Sequence, residues 1–255
     1  MTQKMPDIKG LFKAGAHFGH QRSRTDARSS RFIYGFQNKI AVIDLNKTRE
    51  LLEKALDFIK SQAKEGALFL FVGTKLQAKD KVKEVAEALK MPYVIERWPG
   101  GLLTNFEVVS KSVKKMIQTQ NDLAENKYEY LTKAERLKIE RNLKKTQVIF
   151  GGLGKLERIP DVLFVVDAAR EAAAVREAKR KGVVVVAICD TDANPAEIDY
   201  PIVANDDSRM LINLVLDLAA QAIKENYKEK PVVSDSKERL EKKLAAESKV
   251  EEKAE

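Results

Sequence analysis

The sequence predicts an α/β fold: a parallel sheet with helical crossovers, interrupted by an inserted helical hairpin. Three observations carry this expectation. The runs Ala67 to Val72, Val162 to Val166 and Val183 to Cys189 are continuously apolar, as strands covered on both faces must be. Segments with apolar residues at helical spacing separate these runs, and strand–helix alternation is the pattern of parallel sheets with right-handed crossovers. Between residues 105 and 147 the pattern changes. Val109, Val113, Met116, Gln120 and Leu123 are spaced four, three, four, three, a heptad seam on an otherwise charged helix.

In chain order, a short helix candidate around Ile8 to Ala14 leads into Ala14-Gly-Ala-His-Phe-Gly-His-Gln-Arg-Ser-Arg. Two glycines, both histidines of the chain and arginines at 22, 24, 28 and 31 argue against a core element, so residues 1–39 are expected to form a basic arm built around a loop. Arg22, Arg24, Arg28 and Arg31, with His17 and Phe18, suit nucleic acid, where guanidinium groups neutralise phosphate and flat rings stack. A solvated arm is the alternative. Ile40 to Ile43 is a short β-branched run, expected as a strand of the same sheet. It leads through Asp44 to Asn46, the expected N-cap of a helix with Leu51, Leu52, Ala55, Leu56, Ile59 and Ala63 on one face. Ala67 to Val72 ends at Gly73-Thr74-Lys75, and the next helix carries Val82, Val85, Ala86 and Leu89.

The stretch Tyr93 to Phe106 leaves a short strand, sets down Arg97 and the only tryptophan, Trp98, turns at Pro99-Gly100-Gly101, and restarts as a helix near Asn105. Lys75, Arg97 and Trp98 form a candidate docking patch; the alternative is that Trp98 fills a gap in the core. In the inserted segment, Thr132 and Glu135 make a capping box that opens a second helix with Ala134, Leu137, Ile139 and Leu143. An antiparallel hairpin over 105–147 follows, presenting Lys111, Lys114, Lys115, Lys144 and Lys145 outward; two helices lying flat on the sheet are the alternative. The sheet domain is then discontinuous, 40–104 and 148–225. Residues 226–255 are rich in Lys, Glu and Ala and are expected to be a disordered tail or a solvated helix.

The chain has 255 residues and a net charge of +8, so a polyanion is the first partner to consider. The excess lies in the arm and the hairpin, while the tail is balanced. The single Cys189 excludes a disulfide framework and a cysteine-type zinc site, and a reducing, cytoplasmic setting fits. No apolar run has the length needed to span a bilayer.

In an open parallel sheet, ligands bind at the carboxyl ends of the strands. The loops there offer Thr74, Lys75, Arg97, Asp167, Asp190 and Asp192, without a serine or cysteine nucleophile beside a histidine base. Gly151-Gly-Leu-Gly-Lys155 lacks the spacer and the hydroxyl of a phosphate loop. Asp206 or Asp207 is expected as a helix N-cap. If His20 folds over this end, His20, Asp190 and Asp206 become a candidate set for one divalent cation; no cofactor is otherwise required.

Six segments together resemble the bacterial-type small ribosomal subunit protein two, the S-two family. They are Ala14-Gly-Ala-His-Phe-Gly-His-Gln, Ile43-Asp-Leu-Asn-Lys-Thr, Phe71-Val-Gly-Thr-Lys with Gln77-Ala78, Arg97-Trp-Pro-Gly-Gly-Leu-Leu-Thr-Asn-Phe, Ile159-Pro-Asp-Val-Leu-Phe-Val-Val-Asp, and Asp190-Thr-Asp-Ala-Asn-Pro with Ala204-Asn-Asp-Asp. The resemblance implies a flavodoxin-like three-layer α/β/α domain with a coiled-coil hairpin, and a ribosomal protein rather than an enzyme. It also implies a place at the head–body junction of the small subunit, contact with 16S ribosomal RNA and other small-subunit proteins, and help in anchoring the large ribosomal protein S-one. Neither a membrane nor a small-molecule substrate belongs to that picture. The sequence departs from the family where Thr25-Asp-Ala-Arg-Ser-Ser replaces a segment that usually holds a stacking tryptophan. Two readings of other classes remain: an enzyme or sensor binding a phosphosugar or nucleotide through Thr74 and Lys75, and a protein-only adaptor working through the hairpin.

Overall fold

The computed structural model describes residues 5–228, so the expected tail falls almost wholly outside the described residues. After helix α1 (Ile8–Lys13) come strands β1 (Phe18–Gln21), β2 (Ile33–Gln37) and β3 (Ile40–Ile43). Helix α2 (Leu45–Lys64), strand β4 (Phe69–Val72), helix α3 (Leu76–Ala88) and strand β5 (Tyr93–Val94) follow. Helices α4 (Phe106–Ala124) and α5 (Lys133–Phe150) form the insertion. The chain closes with β6 (Val162–Val166), α6 (Ala172–Lys181), β7 (Val184–Cys189), β8 (Tyr200–Val203) and α7 (Arg209–Asn226).

Five strands form a parallel sheet in the order β5-β4-β6-β7-β8. This is the doubly wound, flavodoxin-like order, whose connections reverse direction between β4 and β6. Strand residues alternate between two cores because successive side chains point to opposite faces. Phe69, Phe71, Val162, Phe164, Val166, Val186 and Ile188 meet α2, α3 and α7 on one side. Leu70, Val72, Leu163, Val165, Val185, Ala187 and Cys189 meet α6 and the first turns of α4 on the other. Three layers result, as expected.

Four expectations are corrected. Ile40–Ile43 is not a strand of the parallel sheet; it is the centre of a separate antiparallel sheet, β1-β3-β2. The arm therefore contains two strands and two 3-10 turns rather than a loop, because β3 supplies a hydrogen-bonding edge on each side. The N-cap of α2 is Asp44, whose carboxylate accepts from the Asn46 N–H, and that of α7 is Ser208 rather than Asp206 or Asp207. A hydroxyl and a carboxylate satisfy the same orphan donors, which leaves Asp206 free for another partner. Beneath β5, Gly152 passes so close to Tyr93 that any Cβ would collide with its carbonyl oxygen and ring. In Gly151-Gly-Leu-Gly it is thus Gly152 that serves close packing.

In the insertion, Val109 and Val113 of α4 are buried in the second core and Met116 is buried as well, whereas α5 has no buried residue. The Gln147 amide donates to Gln120 Oε1 across the two helices at 3.2 Å. The capping box at Thr132 and Glu135 is present.

The start of the insertion is fixed by one carboxylate. Glu177 of α6 accepts from the Trp98 indole N–H at 3.0 Å and from the backbone N–H groups of Gly101 (2.8 Å), Leu103 (3.1 Å) and Thr104 (3.1 Å), and from the Thr104 hydroxyl (3.1 Å). Gly101 takes a positive φ of 85° that turns these amides inward, a backbone nest for an anion. Burial would raise the Glu177 carboxyl, but the hydrogen bonds outweigh it and hold the group below the usual carboxylate range. Its contribution is therefore full above the unfolded-state value and fades as pH falls through the lower folded value. Replacing Glu177 by Ala should cost about 2–3 kcal/mol of unfolding free energy in urea melts at pH 7, through several donors losing their acceptor. The difference from the native chain should narrow in acid; a difference constant from pH 7 to pH 3 would contradict the assigned role.

Candidate nucleic-acid interface

The arm crosses the carboxyl ends of the parallel strands and is stitched to the loops there. The His20 N–H donates to the Thr191 hydroxyl at 2.9 Å, the Asp26 N–H to the Thr191 carbonyl at 2.8 Å, and the Ser29 hydroxyl to the Ala193 carbonyl at 2.8 Å. On the other side, the Asn205 amide donates to the Gly15 carbonyl at 2.9 Å and the Ser208 hydroxyl to the Ala14 carbonyl at 2.6 Å. Gly19 is required at this seam, since a Cβ would lie 2.7 Å from the Thr191 methyl.

Under the seam, His20, Asp190 and Asp206 come together, each offering one ligand atom within 4.8 Å of the others. Charges within the chain already balance the set. His20 Nδ1 lies 3.2 Å from Asp190 Oδ2 and Nε2 lies 3.7 Å from Asp192 Oδ2. The contact with Asp190 raises the imidazole to about 9 despite the opposing effect of burial, which favours the imidazolium at neutral pH. Lys75 Nζ sits 2.6 Å from Asp206, 2.6 Å from Asp207 and 3.4 Å from Asp167. Burial and the Asp167 charge push the Asp206 carboxyl up to about 7, while Lys75 draws it down. An open cleft of about 430 Å³ lies above, lined by His20, Arg24, Lys75, Asp167, Arg170 and Asp192 among others.

Two residues expected on a docking patch are corrected here. Trp98 is buried at 7% exposure, its indole spent on Glu177, so it fills the core gap that was its alternative. Lys75 is directed inward, its side chain 12% exposed among three carboxylates. Thr74, the other half of the phosphate-binding alternative, has a hydroxyl bonded to the buried Glu171 and accepting from Arg170. Of that patch only Arg97 is exposed.

The arm cations divide. Arg28 is held by Asp26 at 2.8 Å and Arg24 by Asp192 at 3.4 Å. Arg22 lies over the Phe36 ring at 5.1 Å and Arg31 over Phe32 at 4.7 Å, which leaves their hydrogen-bonding edges outward. Lys111, Lys114, Lys115, Lys144 and Lys145 are all exposed on the hairpin. His17 lies between the rings of Phe12 and Phe18, and burial lowers its pKa, which favours the neutral imidazole. Phe12 was not singled out from the sequence; its place five residues before His17, on the exposed face of a short helix, was the available signal.

The description "Ribosomal protein S2" belongs to the family model matching residues 11–226. Proteins described as "Small ribosomal subunit protein uS2" are similar to this chain. The one from Porphyromonas gingivalis is 43% identical over 220 residues, 86% of this chain and 78% of the relative. Those from Coprothermobacter proteolyticus and Thermus thermophilus are 44% and 43% identical, over 86% and 85% of this chain and 81% and 84% of theirs.

The His20 ion pair makes stability depend on pH in a set direction. A folded pKa near 9 against about 6.5 unfolded means the contribution is complete below the unfolded value and is lost as pH rises through 9. Thermal melts of the native chain should show Tm declining over that window, and His20→Asn should lower Tm at neutral pH and flatten the decline. An unchanged slope in the variant would remove His20 as its source.

Proposed function

The chain belongs to the ribosomal protein S2 family, structural and non-enzymatic constituents of the small ribosomal subunit, and we propose that it binds 16S ribosomal RNA through its arm and its hairpin. The carrying observation is the sorting of the cations. Those at the strand ends are taken up by carboxylates of the chain, while Arg22, Arg31 and the five hairpin lysines face outward. Cations free of internal partners are the ones that can replace counterions on a phosphate backbone. Arg97 extends this surface, and Arg24 and Arg28 join it by exchanging a carboxylate for a phosphate.

In this reading the arm of residues 1–39, the discontinuous sheet domain 40–104 and 148–225, and the hairpin 105–147 are the working units. The arm and hairpin engage RNA and neighbouring proteins at the head–body junction in the cytoplasm. The sheet domain with its hairpin also helps to anchor the large ribosomal protein S-one. No cation is needed at His20, Asp190 and Asp206, because Lys75 and protonated His20 supply the positive charge. Among the described residues no helix is long and apolar enough to cross a membrane.

Replacing Arg22, Arg24, Arg28 and Arg31 together by Ala should weaken binding to small subunits depleted of this protein and reduce the salt dependence. The slope of log K against log salt should fall by about 2 to 4. Filter binding at several salt concentrations measures both, and an unchanged slope would remove the arm from the interface.

A further inference from the structure

Three rings form a ladder on the arm. The Phe12 and His17 rings are stacked with centroids 4.2 Å apart and planes 11° from parallel, and Phe18 continues at 4.0 Å with a 38° tilt. The ladder is not closed at its ends: Phe12 is 57% and Phe18 53% exposed. Helix α1 is pinned beneath it, with Leu11 fully buried and the Ser208 hydroxyl holding the Ala14 carbonyl, so the rings are presented on a fixed frame.

The rim is basic. Lys9 and Lys13 flank Phe12 on α1, and Arg209 follows Ser208, which sits against Gly15 beside the Phe18 ring. All three are exposed, and among the described residues none has a carboxylate partner. Ile8 and Met210 are also exposed here, but a protein covering this surface would bury the three unpaired cations as well, which is costly. Unpaired nucleotides match both features, because every base has a flat face and every link a phosphate.

We propose that an unpaired nucleobase of the ribosomal RNA stacks on the outer face of Phe12, extending the Phe12–His17–Phe18 ladder, with Lys9, Lys13 and Arg209 taking the adjoining phosphates. The inference rests on the RNA-binding reading and adds to it the kind of RNA element, a splayed-out base rather than a helix backbone. It also identifies in this chain a stacking surface other than the absent tryptophan of the arm.

The test uses full-length chain assembled into small subunits depleted of it. With Phe12→p-benzoylphenylalanine, irradiation should attach the chain to 16S RNA at a nucleotide outside the helices, located by a reverse-transcriptase stop. Attachment to a protein or to a base-paired nucleotide, or no attachment in subunits that contain the chain, would overturn the proposal while leaving the broader reading standing. A chain that does not enter the subunit would overturn both. Phe12→Leu keeps the apolar bulk without the flat face and should weaken binding about tenfold at every salt concentration with unchanged slope. Lys9→Gln with Lys13→Gln should lower the slope. A Phe12→Leu variant that binds like the native chain would count against stacking.

Discussion

The arrangement depends on the seam that fastens the arm across the carboxyl ends of the parallel strands. Backbone and side-chain hydrogen bonds from residues 14–29 reach the loops after β7 and β8, and Gly19 permits the approach. In a doubly wound sheet these ends are where a ligand would enter, at the reversal between β4 and β6. Here the loop after β4 holds Lys75 and the loop after β6 holds Asp167, and Lys75 pairs with Asp167, Asp206 and Asp207. The groups that could have met a substrate phosphate hold the fold together, which accords with a non-enzymatic family.

The seam also decides which cations remain for a partner. Net charge of the whole chain is modest, and a basic residue matters for RNA only if no carboxylate of the chain has claimed it. Arg28 and Lys75 are claimed; Arg22 and Arg31 lie over rings, and among the described residues the hairpin lysines have neither. The Glu177 clamp sets the base of the hairpin in a similar way, converting an Arg-Trp-Pro-Gly-Gly turn into a fixed anchor for α4. Rigidity on the sheet side thus positions two outward surfaces, the arm and the insertion.

Much of the architecture was legible in the sequence. Continuous apolar strands and the capping box at Thr132 are local patterns, and both reappear in the structure; of the heptad stripe only Val109, Val113 and Met116 are buried, the first two in the sheet's second core. The failures came where long-range pairing decided the outcome. Ile40–Ile43 reads as a strand, but nothing local shows that its neighbours are β1 and β2. Trp98 reads equally well as surface or core until Glu177, distant in sequence, appears beside its indole. Lys75 looks like a phosphate ligand until three aspartates from other loops surround it. His20, Asp190 and Asp206 were only a conditional set in the sequence; they do converge, but nothing local shows that Lys75 lies against Asp206 or that Asp190 raises His20. The Phe12 ring partner was missed because ring stacking leaves no mark at helical or strand spacing.

The central claim is that the outward cations of this chain serve its place in the small subunit. Sedimentation of a cell lysate through sucrose gradients at low and at moderate salt, with detection of this chain, tests it most directly. Comigration with the small subunit that survives moderate salt is the expected result. A chain that remained at the top of the gradient under both conditions would contradict the account.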